Sequence, residues 1–164
     1  MPTRSTPVLL ACGLALLMML ASPGPVVAQD EAKVVYHADF SDPRRFSAML
    51  TSINNMVVTY NNELRDYDVR IVFVAHGIRF VTDDSLADTP FAEDDALRAR
   101  RENLRGRLQG LVMSQGVKLE LCNITRSEIG LSEDALYDGV ELVDSGVVRI
   151  AALQNDGFAY IKIE

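Results

Sequence analysis

Strand-like and helix-like segments alternate through the first two thirds of residues 29–164, and this order restricts the chain to α/β folds with a mainly parallel sheet. The first strand is predicted at Val34 to Tyr36. The helix after it begins with Asp42 as N-cap and Pro43 at its first position. Apolar residues then recur every three or four positions as far as Leu64, which is the pattern of a helix with one face on a sheet.

The next segments continue the alternation. The nearly all-apolar run Val69 to Ala75 predicts a central strand covered on both faces. A polar connection, Thr82 to Glu93, is predicted to form a loop beside the sheet edge, and the helix after it is predicted to stop at Gly116. Val117 to Leu121 and Val140 to Val143 are predicted as the third and fourth strands.

The C-terminal segment differs in character. Two strand-like runs, Val148 to Leu153 and Phe158 to Ile163, flank an Asp156-Gly157 pair, which is a strong signal for a β-hairpin. We therefore predict a three-layer α/β sandwich with a mainly parallel, flavodoxin-like sheet and a C-terminal β-hairpin.

The N-terminal segment has the features of a secretory signal peptide. Arg4 precedes an apolar stretch from Val8 to Leu20, which is shorter than the roughly 20 residues of a membrane span. Pro23, Gly24 and Pro25 follow, and Ala28 suits a cleavage site. We predict a signal peptide at residues 1–28, a single domain at residues 29–164, and an exported, periplasmic product with no membrane attachment after cleavage.

The length and net charge of the chain limit its size as a domain and the classes of partner that are expected. Removing 28 of the 164 residues leaves 136, enough for one domain with a substantial core. The segment removed carries one arginine and no acid, so the net charge changes from −7 to −8. This acidic balance disfavours nucleic acid and anionic membranes as partners. No glycine-rich phosphate loop is present, so no nucleotide cofactor is expected.

One cysteine remains after cleavage. Cys122 lies at the carboxyl end of the third predicted strand, where ligands and catalytic groups gather in open α/β sheets. It has no second cysteine with which to form an internal disulfide. It is therefore either a small buried hydrophobe or a thiol that reacts with another molecule.

The only two histidines, His37 and His76, follow the first and second predicted strands. In a parallel sheet these strand ends share one edge with Cys122, so Cys122, His76 and His37 are the candidate catalytic residues. A histidine beside a cysteine raises its thiolate population, whereas one at a strand end often only bonds a carbonyl. Two weaker alternatives are a metal site built from the three residues and a Cys-His-Asp set completed by Asp39.

Four segments resemble exported members of the DsrE/DsrF-like family. They are Lys33 to His37, Val-Ala-His-Gly at 74–77, Leu-Cys-Asn-Ile-Thr at 121–125, and Leu153-Gln154 with the run from Gly157 to Lys162. The resemblance implies a small α/β homo-oligomer, a trimer or hexamer, that carries sulfur as a persulfide. By the same resemblance Cys122 matches the family's cysteine, and His76 lies in the matching Ala-His-Gly segment.

The function predicted from these observations is that of an exported sulfur carrier, at most sulfurtransferase-like, with sulfane sulfur held on Cys122. Its partners would be sulfur donor and acceptor proteins or small polysulfides. The alternative is a non-catalytic oligomeric binding or scaffold protein in which Cys122 is buried and inert. A homotrimer or homohexamer is expected by the resemblance, and the apolar side chains of Tyr60, Phe80 and Phe91 favour association.

Overall fold

The computed structural model describes Met1 and residues 30–164. Five strands are present in this part of the chain: β1 Ala32–Ala38, β2 Tyr67–Phe73, β3 Lys118–Cys122, β4 Val140–Val143 and β5 Ala159–Ile161. The α-helices are α1 Pro43–Asn62, α2 Asp95–Arg98, α3 Arg101–Gln115, α4 Asn123–Glu128 and α5 Gly146–Asn155. Two 3₁₀ helices, Ala75–Phe80 and Glu133–Ala135, lie in the connections.

The strands form one sheet in the order β4-β3-β2-β1-β5, and every neighbouring pair is parallel. Register aligns Phe73 of β2 with Ala38 of β1 and with Leu121 of β3. The carboxyl ends of β1, β2 and β3 therefore lie along the same edge. The prediction of a three-layer α/β fold with a mainly parallel, flavodoxin-like sheet is confirmed.

Helices α1 and α3 cover one face of the sheet and form the larger core. The Asp42 side chain accepts a hydrogen bond from the Arg44 N–H (2.8 Å), so α1 begins where the sequence predicts. Phe46 of α1 is fully buried and lies 4.1 Å, ring centre to ring centre, from Phe80. Burying large apolar side chains of this kind supplies most of the stabilisation of such a domain.

Helix α5 lies on the opposite face with a much smaller apolar cluster, formed by Val35, Val72, Ile150, Leu153 and Phe158. The chain proceeds from β1 to β4 in one direction and then returns across the sheet to β5. Because crossover connections between parallel strands are right-handed, reversing the direction places α5 on the other face.

The predicted C-terminal hairpin is wrong. Val148 to Leu153 lies in α5, and β5 pairs parallel to β1. The β-branched run suggested a strand, but Ile150 and Leu153, three residues apart, point to the sheet while Val147 and Val148 are exposed. Tertiary packing thus overrides local propensity, and the Asp156-Gly157 pair follows the helix instead of joining two strands.

The predicted signal peptide, residues 1–28, lies outside the described residues except for Met1. Within the described part, no helix has both the length and the apolar character needed to cross a membrane.

Candidate functional site

Cys122 ends β3 and serves as the N-cap residue of α4. Its neighbour in the sheet is Val143, the last residue of β4, and α5 begins three residues after Val143. The thiol therefore lies where two helices start, and it is buried, with 5% of the residue exposed.

Gly146, the first residue of α5, allows the start of this helix to approach the thiol closely. A Cβ atom at this position would lie 3.0 Å from the Cβ of Cys122 and 2.6 Å from Cγ2 of Val74. The second distance is too short for two carbon atoms. Only a residue without a side chain lets the N-terminus of α5 pack against Cys122 in this way.

The surroundings of the sulfur favour the thiolate. Burial raises the pKa of Cys122, but the nearby backbone N–H groups of Gly146, Thr125 and Ile124 and the Thr125 hydroxyl lower it more. The net pKa lies below the ordinary value for a thiol. These donors belong to the first turns of α4 and α5, where backbone N–H groups lack partners within the helix and favour negative charge.

Thr125 joins the thiol to the neighbouring strand end. The side chain is buried, and its oxygen accepts a hydrogen bond from the Ala75 N–H (3.1 Å). The hydroxyl proton therefore remains free for the sulfur of Cys122. Ala75 has φ of 49°, a left-handed conformation that costs a non-glycine residue about 1–3 kcal/mol.

His76 lies next to this link, in the 3₁₀ helix Ala75–Phe80. Its half-buried ring contacts the ring of Phe91 edge to face, with centres 5.2 Å apart. Phe91 belongs to the irregular connection predicted at Thr82 to Glu93, so this connection contacts His76. The Arg79 guanidinium donates a hydrogen bond to the Asp94 carboxylate (2.8 Å), which attaches the end of the connection to the 3₁₀ helix.

His37 is placed differently from the prediction, inside β1 and not after it. Strand β2 separates it from Cys122, a lateral separation of two strand spacings, or about 10 Å. Its Nδ1 lies 3.0 Å from the Tyr160 hydroxyl and its Nε2 lies 3.9 Å from Asp39. Burial lowers the pKa of His37 more than Asp39 raises it, so the ring is neutral near neutral pH.

The two weaker alternatives gain no support from the geometry. Asp39 pairs with Lys162 (2.8 Å) beside His37, not beside Cys122. Among the described residues, no three His, Cys, Asp or Glu side chains are arranged to hold a metal ion. The largest influences on the pKa of Cys122 are its burial and the groups of Gly146, Thr125 and Ile124.

Sequence reasoning missed Gly146 and Thr125 as parts of the site. Thr125 carried a usable signal, because a residue three positions after an N-cap directs its N–H toward the cap side chain. No signal in the sequence identified Gly146 as part of the site, because it follows a different strand and the helix that it begins was predicted as a strand.

Comparison with known proteins agrees with this architecture. The sequence profile of the DsrE/DsrF-like family matches residues 34–163. A protein of unknown function from Methanobacterium thermoautotrophicum is similar in structure, with a TM-score of 0.61 and 25% identity over 80% of this chain and 99% of that chain. The ychN protein from E. coli has a TM-score of 0.52 at 19% identity, over 80% of this chain and 98% of its own, a likeness of fold. No curated protein matches.

Proposed function

This chain belongs to the DsrE/DsrF-like family, which is associated with sulfur relay, and on that premise we propose that it is an exported sulfur carrier holding sulfane sulfur as a persulfide on Cys122. The observation that carries the proposal is the position of the thiol at the starts of α4 and α5, where backbone N–H groups and Thr125 stabilise a thiolate. The thiolate is the nucleophilic form of cysteine.

One thiol suffices for the proposed cycle. The thiolate of Cys122 attacks the terminal sulfur of a polysulfide, and a new S–S bond forms. The old S–S bond breaks, and its electron pair leaves with the shortened polysulfide. An acceptor thiolate then attacks the outer sulfur of the Cys122 persulfide, and the Cys122 thiolate leaves. The same donors that stabilise the attacking thiolate stabilise it as a leaving group.

Treatment with polysulfide is expected to add the mass of one sulfur to the intact protein. The chain should carry Cys12→Ser, so that Cys122 is its only cysteine, and mass spectrometry reads the adduct. Cys122→Ser in the same background should abolish the adduct. An unchanged mass in folded protein that retains Cys122 would exclude the carrier function.

A non-catalytic scaffold with an inert cysteine is the second candidate, and the 5% exposure of Cys122 favours it. Thiol labelling of the native protein separates the two functions. Labelling that occurs only after denaturation supports the scaffold, whereas fast labelling at neutral pH supports the carrier.

For the histidines, we propose that His76 holds an incoming sulfur anion, because it lies beside Ala75, which is hydrogen-bonded to Thr125. His37 is the second candidate. His76→Ala is expected to slow persulfide formation by polysulfide more than His37→Ala does. Equal rates in folded His76→Ala and the unsubstituted chain would return His76 to a structural role.

We also propose that the chain assembles into a homo-oligomer. Phe80, one of the side chains from which association was predicted, is buried within the chain, whereas exposed apolar residues surround the start of α4 and α5: Ile124, Val147 and Val148. We expect a homotrimer or homohexamer by light scattering, and a monomer at micromolar concentration would contradict it.

Export of the chain predicts a mature N-terminus at Gln29. N-terminal sequencing of the periplasmic protein would test this prediction.

A further inference from the structure

A buried carboxylate lies on the strand that carries the thiol. Glu120 precedes Cys122 by two residues, so both side chains leave β3 on the face that α5 covers. Its side chain is 1% exposed, yet it carries a charge. A buried charge is tolerated only with close partners, and arginine side chains supply them here.

Arg149 of α5 and Arg70 of β2 both bind this carboxylate. Arg149 forms two hydrogen bonds, from Nε to Oε2 (2.7 Å) and from Nη2 to Oε1 (2.9 Å). Arg70 donates from Nη1 to Oε1 (2.8 Å) and is itself held by Asp68 (2.6 Å). Burial raises the pKa of Glu120, but the bonds from Arg149 and Arg70 lower it below its ordinary value.

Apolar packing alone leaves the first turn of α5 weakly held. The buried apolar side chains of this helix are Ile150 and Leu153, and neither lies in its first turn. Val147 and Val148 of the first turn are 59% and 65% exposed. Arg149 lies one helical turn after Gly146, so its paired bonds to Glu120 attach the beginning of the helix to β3.

We propose that Arg149 and Glu120 are positioning residues for Cys122: their two-bond pair fixes the first turn of α5 against β3 and so holds the start of the helix, at Gly146, against Cys122. The inference rests on the proposed function, in which Cys122 reacts as a thiolate. A planar guanidinium with two bonds to one carboxylate fixes direction as well as distance, which a single ammonium contact does not.

The test measures the titration of Cys122 directly, by the ultraviolet absorbance of its thiolate as a function of pH. The full chain carries Cys12→Ser, and the Cys122→Ser chain supplies the blank. Arg149→Lys and Glu120→Asp keep both charges but break the two-bond geometry, and Arg149→Gln removes a charge. All three are expected to shift the thiolate titration to higher pH and to lower the thiolate fraction at neutral pH several-fold.

Arg101→Gln is the matched control. Arg101 forms another shielded ion pair, with Glu93 (2.8 Å, 14% and 10% exposed), on the face opposite to α5. This variant is expected to lose stability while keeping the thiolate titration of the unsubstituted chain. A shift equal to that of Arg149→Lys would show that general destabilisation, and not positioning, moves the titration.

Two other results overturn the proposal. A normal titration in Arg149→Lys with a shifted one in Arg149→Gln would assign the effect to charge alone. A normal titration in all three folded variants would leave the pair without influence on the thiol. If Arg149→Gln fails to fold, the titrations of the two charge-conserving variants, Arg149→Lys and Glu120→Asp, test the proposal on their own. The absorbance requires no sulfur transfer, so failure of the polysulfide experiment and failure of this one are separate results.

Discussion

Replacing Gly77 with alanine is expected to destabilise the fold by more than about 3 kcal/mol, because the added methyl group meets backbone atoms that have no room to move. The new Cβ would lie 2.0 Å from the carbonyl oxygen of Ala38 and 3.0 Å from its carbonyl carbon. That oxygen already accepts the Val74 N–H (2.9 Å) at the edge where β1 and β2 end. Relieving the overlap therefore separates the carboxyl ends of β1 and β2.

Gly110→Ala is the control for Gly77→Ala. Gly110 lies within α3, and a Cβ there would have no neighbouring atom within 4 Å. Alanine should stabilise this helix by about 0.5–1 kcal/mol through its higher helix propensity. Denaturant unfolding of both variants measures the difference. A free energy of unfolding for Gly77→Ala within about 1 kcal/mol of the unsubstituted chain would contradict the close approach.

Replacing Thr125 with valine is expected to slow alkylation of Cys122 near neutral pH by about tenfold, which corresponds to the loss of one hydrogen bond to a charged group worth ~1.4 kcal/mol. Valine keeps the shape of threonine but has no hydroxyl to donate to the sulfur. The pKa of Cys122 should rise, since Thr125 is among the groups that lower it. The alkylation rate follows the thiolate fraction, so its pH profile should move to higher pH.

Thr125→Ser separates the hydroxyl from the rest of the side chain. Serine retains the donor and should keep the pH profile close to that of threonine. Valine also leaves the Ala75 N–H without its partner, so the variant should lose about 1–3 kcal/mol of stability and must be assayed well below its unfolding temperature. At a pH above both thiol pKa values, all three proteins should alkylate at similar rates. Identical profiles for valine and threonine would exclude Thr125 from the site.

If both predictions hold, stability and thiol chemistry depend on the same region of the sheet edge. Gly77 lies two residues after Ala75, whose N–H is bonded to Thr125, and Thr125 in turn faces Cys122. We therefore expect a change at the ends of β1 and β2 to reach the thiol through the hydrogen bond from the Ala75 N–H to the Thr125 side chain. Persulfide formation measured on the folded fraction of Gly77→Ala would distinguish this link from simple loss of protein.

Local signals in the sequence determined much of the architecture. Asp42 and Pro43 specify the start of α1 because a capping carboxylate and a residue without an N–H suit a helix start in any context. The apolar run before Val74 specifies a buried strand, and an apolar segment ending at Cys122 places the thiol at a strand end. These features depend on residues within a few positions of one another, so they are readable without the fold.

Only the tertiary structure decided the rest. Val147, Val148 and Ile150 have the composition of a strand, and they form a helix because the returning chain must cover the open face of the sheet. The surroundings of Cys122 combine Gly146 from another strand end with Thr125, and the start of α5 is attached through Glu120 and Arg149, which are 29 positions apart. Hydrogen bonds and charge pairs act through space, so residues distant in the sequence determine how readily Cys122 loses its proton. Strand order and crossover direction decide which of these residues come into contact.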